Sequence, residues 1–245
     1  MRARGADARG RVRAPRGPAG GPGVSARAAA GRRSAARPAA ASAPMRWFAE
    51  FVPGRRGEIL DAAVAVFSAK GYDAGTMRQI ASAVGVTEPA LYRHWPGKEA
   101  LFDDLIATAG DHVVGQARTM LAAIGPDSLR PGLETLLRMP LAESERGRMA
   151  LMRAVLAAAP NHPAFIETFR ARIALPMQGE IRAAIVRLDG ELGVTRAPGE
   201  AEACVRVLMS LFVGHMLTTQ LLGAGGAEAA TADAVLAVLG WEGVR

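Results

Sequence analysis

Cysteine is nearly absent from this chain. Its 245 residues hold one, Cys204, so no disulfide can close within it, which suits a reducing compartment. Cys204 sits in an apolar helical stretch and reads as a small core residue rather than a redox switch. Aromatic residues make up only 5% of the chain, while alanine is abundant. That balance favours close helix packing over a β-sandwich. No run alternates with period two long enough to make a strand. The four histidines, His94, His112, His162 and His215, form no H-x-x-x-H pair, and one cysteine makes no C-x-x-C, so no metal site is expected. G-x-S-x-G, a P-loop and G-x-G-x-x-G are missing too. No catalytic residue, no cofactor and no enzymatic activity are therefore expected. The most apolar run, Val205 to Leu222, is broken by Arg206, Ser210, His215, Thr218, Thr219 and Gln220. A membrane span needs about 20 mostly apolar residues, so none is expected. The N-terminus has no apolar signal core, and a cytoplasmic protein is expected.

Negative charge is missing from one end. Residues 1–44 contain ten arginines and one aspartate; the rest holds 20 basic and 22 acidic residues. The net charge of +7 thus belongs to the tail, and it proves nothing about nucleic-acid binding by the remainder. Composed of Arg, Ala, Gly and Pro, the tail has little to bury and reads as disordered. It is either a basic arm adding phosphate affinity or sequence upstream of the true start. An ordinary composition beginning at Met45 favours the second. An Arg-rich, acid-poor segment also fits a transit peptide, the weakest of the three readings.

From Arg55 the pattern is helical. Ile59, Leu60, Ala63, Val64 and Phe67 recur at threes and fours and make one apolar face, ended by Lys70-Gly71. Thr76 and Gln79 have the spacing of a capping box, opening a second helix with Met77, Ile80, Ala81 and Val84 on its inner side. Gly85 ends that helix with a positive φ, and Val86 returns the turn to the core. Thr87 caps a third helix, with Pro89 in its first turn where a missing N–H costs nothing. Leu91 and Trp95 face inward, Pro96-Gly97 breaks the chain, and Lys98 opens a fourth helix with Ala100, Leu101, Leu105 and Ile106 inside. Residues beyond 110 read as helices separated by breaks near Gly125-Pro126, Met139-Pro140, Pro160 to Pro163, Pro176, Gly190 to Pro198 and Gly223 to Gly226.

Two short helices joined by a glycine turn and stacked on a longer one form a helix–turn–helix. Its third helix holds on with Leu91 and Trp95 and leaves its other flank free to enter a major groove. Residues 55–105, centred on GTMRQIASAVGVTEPALYRHWPGKEALFDDL, resemble the DNA-binding domain of the TetR family of bacterial regulators. The resemblance covers about 50 residues and rests on Thr-x-x-x-Ile-Ala, the Gly-Val turn, Leu-Tyr-x-His, an aromatic, and Lys-x-x-Leu. It implies that Thr76, Tyr92, His94 and Lys98 contact phosphates and that Arg78, Glu88, Pro89, Ala90 and Arg93 reach base edges, with Thr87 opening the reading helix. Arg78 would pair with guanine and Glu88 accept from cytosine, each worth about 1–3 kcal/mol of discrimination. Ala90 departs towards a residue that makes no hydrogen bond and can at most touch a thymine methyl.

The expected fold is all-α: a disordered tail over 1–44, a helix–turn–helix domain over 45–105, and a helical effector-binding and dimerisation domain over 106–245. The expected partners are double-stranded DNA, a small-molecule effector and a second copy of the chain. Val205, Leu208, Met209, Phe212, Val213 and Met216, with Val235 and Leu239, are the expected dimer interface. Met149, Met152, Phe165, Phe169 and Met177 would line an effector pocket, with Arg153, Arg172 and His215 as polar anchors. The function implied is a ligand-responsive repressor on a palindromic operator. An activator, or a helical interaction protein on the same scaffold, is the alternative; the donors around the third helix weigh against the latter.

Overall fold

The computed structural model describes residues 46–138, 145–222 and 227–243. Every regular element among them is helical. Helix α1 spans Arg55–Lys70, α2 Met77–Val84, α3 Glu88–Tyr92 and α4 Lys98–Ala123. Then follow α5 (Leu129–Arg138), α6 (Glu145–Ala158), α7 (Pro163–Phe169), α8 (Leu175–Leu192), α9 (Glu200–Leu222) and α10 (Glu228–Leu239). A 3₁₀ turn, Phe48–Glu50, precedes α1. The expected breaks at Met139-Pro140 and Gly223 to Gly226, and the whole tail, lie outside the described residues.

Two apolar cores organise the chain. The first joins α1, α2, α3, the front half of α4 and α6: Leu60, Ala63, Val64, Phe67, Ile80, Leu91, Leu101, Phe102, Leu105, Ile106, Ala150 and Ala154 have no exposed surface. The second joins the end of α4 to α5, α8, α9 and α10. Helix α4 belongs to both cores, so it leaves the helix–turn–helix without interruption and becomes a strut of the second region. The predicted inner face of α1 is buried, and so are Met77, Ile80 and Ala81 of α2, with Val84 partly buried against the same core.

Pro176 does not break the chain. It sits in the first turn of α8, and the chain from α7 to α8 stays helical through a wide π-type turn, Arg170–Ala174. A proline removes one intrahelical hydrogen bond and crowds the preceding carbonyl, and a widened turn accommodates both. Gly110 of α4 lies against this turn: a Cβ there would meet the Arg172 carbonyl oxygen at 2.6 Å. Gly190 is likewise inside α8, which ends at Gly193 with a left-handed φ of 71°.

Buried charges fix the less regular parts. Asp61 of α1, 4% exposed, accepts backbone N–H from Phe48 (2.8 Å) and Ala49 (3.0 Å), tying the 3₁₀ turn to α1. Burial raises its pKa, and the two N–H donors oppose that rise. In the second core Asp189 takes both ends of the Arg196 guanidinium, at 2.6 and 2.8 Å, and the Trp241 indole N–H at 2.9 Å. Arg196 also donates to the Leu239 carbonyl at 2.8 Å. This group locks the loop after α8 to the end of α10. Both charged side chains are 10% exposed, and removing one partner of such a pair costs about 3–5 kcal/mol. Asp189→Ala is therefore expected to lower the stability by about that amount, read as a drop in the urea midpoint. An unchanged midpoint would refute the structural role of the pair.

Candidate nucleic-acid interface and adjoining cavity

Local chemistry builds the α2–turn–α3 unit. Thr76 Oγ1 accepts from the Gln79 N–H (3.2 Å) and Gln79 Oε1 accepts from the Thr76 N–H (3.3 Å), completing the predicted capping box. Gly85 takes φ 68°, ψ 35°, and the Val86 N–H reaches back to the Ala81 carbonyl at 3.0 Å. That closure turns the chain at no steric cost for glycine. Thr87 stands at the N-cap position of α3, but its hydroxyl makes no capping hydrogen bond, so the expected cap is positional only.

The helix α3 is five residues long, and it is held from behind. Leu91 has no exposed surface and Trp95 only 6%. The Trp95 indole donates to Asp104 Oδ2 of α4 at 2.9 Å, while Asp104 Oδ1 accepts from Arg56 of α1 (2.8 Å) and from Thr108 (3.2 Å). Asp104 thereby joins α1, α4 and the end of α3. It is not legible in the sequence, because no short motif marks a carboxylate whose partners lie 48 and nine residues away.

The ten expected DNA-contact residues gather on the outer side of this unit. Thr76, Arg78, Thr87, Pro89, Tyr92, Arg93 and His94 are exposed; Glu88, Ala90 and Lys98 are half-buried. Tyr92, 47% exposed, lies 3.5 Å by its hydroxyl from Glu88 Oε1. Lys98 differs from expectation. Its ammonium donates to the Tyr72 and Asp73 carbonyls at 2.8 and 3.1 Å and lies 4.3 Å from the Tyr72 ring centre. Two of its three donors are engaged in the turn after α1, leaving one for a phosphate. The same turn meets the second region. His162 Nε2 lies 2.7 Å from Asp73 Oδ1, and Asn161 Nδ2 donates to Asp73 Oδ2 at 3.2 Å. Tyr72 packs edge-on against His162 and Phe165.

Behind the helix–turn–helix lies a cavity of about 520 Å³. Walls from α4, α5, α6, α8, α9 and α10 surround it, together with Trp47 and the turn after α7. Of the 31 lining residues only Arg148 and Thr231 are polar. Met152, Phe169 and Met177 line it as expected, and the other five expected pocket residues do not. Met149 is buried elsewhere in α6, and Phe165 is sealed in the first core beside Tyr72 and Phe102. Arg153 and Arg172 are exposed. His215 is buried, with Nδ1 3.3 Å from the Thr231 hydroxyl. That hydroxyl also lies 2.8 Å from the Ala227 carbonyl.

Most of the expected dimer residues turn inward, while Val213 is 37% exposed. Leu208, Met209, Phe212, Val213, Met216, Val235 and Leu239 line the cavity, and Val205 is buried in the second core. The outer side of α9 carries Arg206, Val207, Ser210 and Thr218 instead. By length and composition α9 is the one helix among the described residues that would suffice to cross a membrane, with a mean hydropathy of 1.3 over Glu200–Thr219. The core helix of a soluble protein passes the same test, and this one contributes Cys204 and Val205 to the second core.

The chain thus sets a helix–turn–helix whose exposed flank bears hydrogen-bond donors on an all-helical body. Residues 59–105 match the profile described as "Bacterial regulatory proteins, tetR family". It is 39% identical over 84 residues to the HTH-type transcriptional repressor KstR2 of Rhodococcus jostii, covering 34% of this chain and 40% of that protein. It is 30% identical over 139 residues to the nucleoid occlusion factor SlmA of Citrobacter koseri, covering 56% of this chain and 64% of that protein. The chain thus spans less than half the length of the KstR2 relatives it matches. A solved TetR-family regulator from Mesorhizobium loti aligns with a TM-score of 0.60 at 23% identity, covering 75% of this chain and 95% of that one. The regulator FadR from Bacillus subtilis, solved with stearoyl-CoA, gives 0.58 at 14% identity, covering 74% and 96%. These two likenesses show the shared fold.

The Asp73 contact makes a titration prediction. Hydrogen bonds from His162 first, then Asn161, hold the Asp73 carboxyl below its ordinary pKa. A depressed acid contributes stability above its unfolded pKa and loses it as pH falls through the lowered folded value. Side-chain carboxyl NMR should place the Asp73 midpoint below the ordinary carboxylate range, and His162→Ala should raise it. Equal midpoints in the two proteins would mean that the contact is not made in solution.

Proposed function

We propose that the protein is a ligand-responsive transcriptional repressor that grips a two-fold operator as a homodimer and lets go when a small apolar effector fills the cavity. The observation that carries this reading is the placement of the cavity. It shares α4 and α6 with the core that supports α3, so an occupant presses on the same helices that hold the reading head. Pockets for small ligands run from about 300 to 1,000 Å³ with few polar groups, and this one has that size and that lining. The effector chemistry it suits is a largely hydrocarbon molecule with at most one or two polar groups. KstR2 is a repressor, and FadR was solved with a fatty-acyl thioester; both support the reading by likeness.

The homodimer in this reading is supported by the shortness of α3: one five-residue helix reads about one half-site, and two-fold dimers read two. The surface that suits it is the outer side of α9 with α10. Only 22% of the apolar Glu200–Thr219 window is buried, Val207 is 43% exposed and Val238 37%. Of the set anticipated from periodicity, Val213 lies on this outer side, 37% exposed. An effector that tilts α4 or α6 would change the separation of the two heads, and affinity falls when both half-sites cannot be engaged together.

The deciding experiment is a gel shift on the DNA upstream of the protein's own gene, using residues 45–245. Sequence-selective binding is expected. Tyr92→Phe with His94→Ala should weaken it by about tenfold or more, since each removes a hydrogen bond to a charged phosphate. Sequence-blind binding, or a double variant that binds as tightly as the parent, would overturn the assignment of this face.

A further inference from the structure

Helix α6 touches both halves of the proposed machine. Its buried residues Ala150, Leu151, Ala154, Val155 and Ala158 share a core with Ile59, Leu60, Ala63, Val64 and Phe67 of α1. On another side, Arg148, Leu151, Met152 and Leu156 line the cavity. The helix also holds the head at both ends. At its start, Gly147 lies so close to Trp47 that a Cβ would come within 2.3 Å of the Trp47 Cβ. Trp47 in turn lines the cavity and adjoins the turn tied to Asp61. Just past its end, the Asn161 and His162 backbone N–H groups close on the Ala158 carbonyl at 3.1 and 2.9 Å. That closure presents both side chains to Asp73.

Asp73 stands three residues before Thr76, where α2 begins, and its carbonyl receives the ammonium of Lys98, where α4 begins. A shift of Asp73 therefore reaches the starts of both helices that flank the reading helix. Resting on the proposed effector reading, we propose that the Asp73 contact with His162 and Asn161 is the joint through which α6 passes cavity occupancy to the DNA-reading head. Asp73 and His162 are positioning residues: neither touches the cavity. The contact is largely exposed, with side-chain accessibilities of 62% and 33%, so its loss leaves the folded cores intact. Its contribution shows in coupling, where a modest bias suffices, because allosteric coupling commonly amounts to about 5–150-fold in affinity.

The test supplies an occupant without knowing the effector. Cys204→Ser removes the native thiol, and Met177→Cys places a new one on the α8 wall of the cavity, for labelling with N-(1-pyrenyl)maleimide. Affinity for the protein's own upstream DNA is compared with and without the label, and the ratio is the readout. With the joint intact, the label should weaken binding by about tenfold or more. Adding His162→Ala or Asp73→Ala should shrink that ratio to below about threefold at equal labelling and equal melting temperature. His162→Gln, which keeps an N–H donor for Asp73, should restore most of it. A ratio that stays the same in both alanine variants would overturn the joint while leaving the effector reading in place. A label without effect in the intact protein would remove the effector reading, and the joint with it.

Discussion

A helix of five residues has no stability of its own, because isolated helices below about 12 residues are marginal in water. Everything that α3 presents therefore depends on how it is anchored from behind. Leu91 and Trp95 supply the apolar anchor, and Asp104 turns it into a fixed geometry by bonding the Trp95 indole and Arg56 of α1 together. Because the anchor is complete on the inner side, seven of the ten outer residues are free to be exposed. The division of labour within so short a helix explains its unusual density of polar and aromatic side chains. The same anchor makes α3 a passenger of α1 and α4: it goes where they go.

The helix–turn–helix was legible in the sequence because its determinants are local. Thr76 and Gln79 are three residues apart, Gly85 acts on its own φ, and Pro89 on its own ring. Each of these acts within a turn or two of chain, so spacing alone reveals it. The second region was legible as helices but not as surfaces. The run Val205, Leu208, Met209, Phe212, Val213 and Met216 did define one apolar face of α9. Periodicity says that such a face is covered, but not by what. Here it borders a cavity and the second core, and Val213 also reaches the outer surface.

The cavity lining was only partly legible for a related reason. Met and Phe within one segment look alike, yet Phe169 lines the cavity while Phe165, four residues earlier, closes the first core against Tyr72 and Phe102. The difference is set by where α7 meets α4, a contact between residues some 60 positions apart. Pro176 misled in the other direction. As a helix breaker it promised a gap, but a π-type turn ahead of it absorbs the lost bond and lets α7 run into α8. Lys98 is intermediate: its position at the head of α4 was readable, and its engagement by the Tyr72 and Asp73 carbonyls was not.

The two glycines on the bridging helices bear on how the parts can move. Gly110 of α4 lies against the Arg172 carbonyl and Gly147 of α6 against Trp47, each closer than any side chain permits. The two contacts differ in kind. At Gly147 the Trp47 side chain sits where a Cβ would stand, a knob that fixes the register of α6. At Gly110 the nearest neighbour is backbone, the Arg172 carbonyl, so a small translation of α4 along that turn costs less than lifting away from it. Motion at α4 is thus biased towards shear, a glide of fractions of a turn, while α6 keeps its seat.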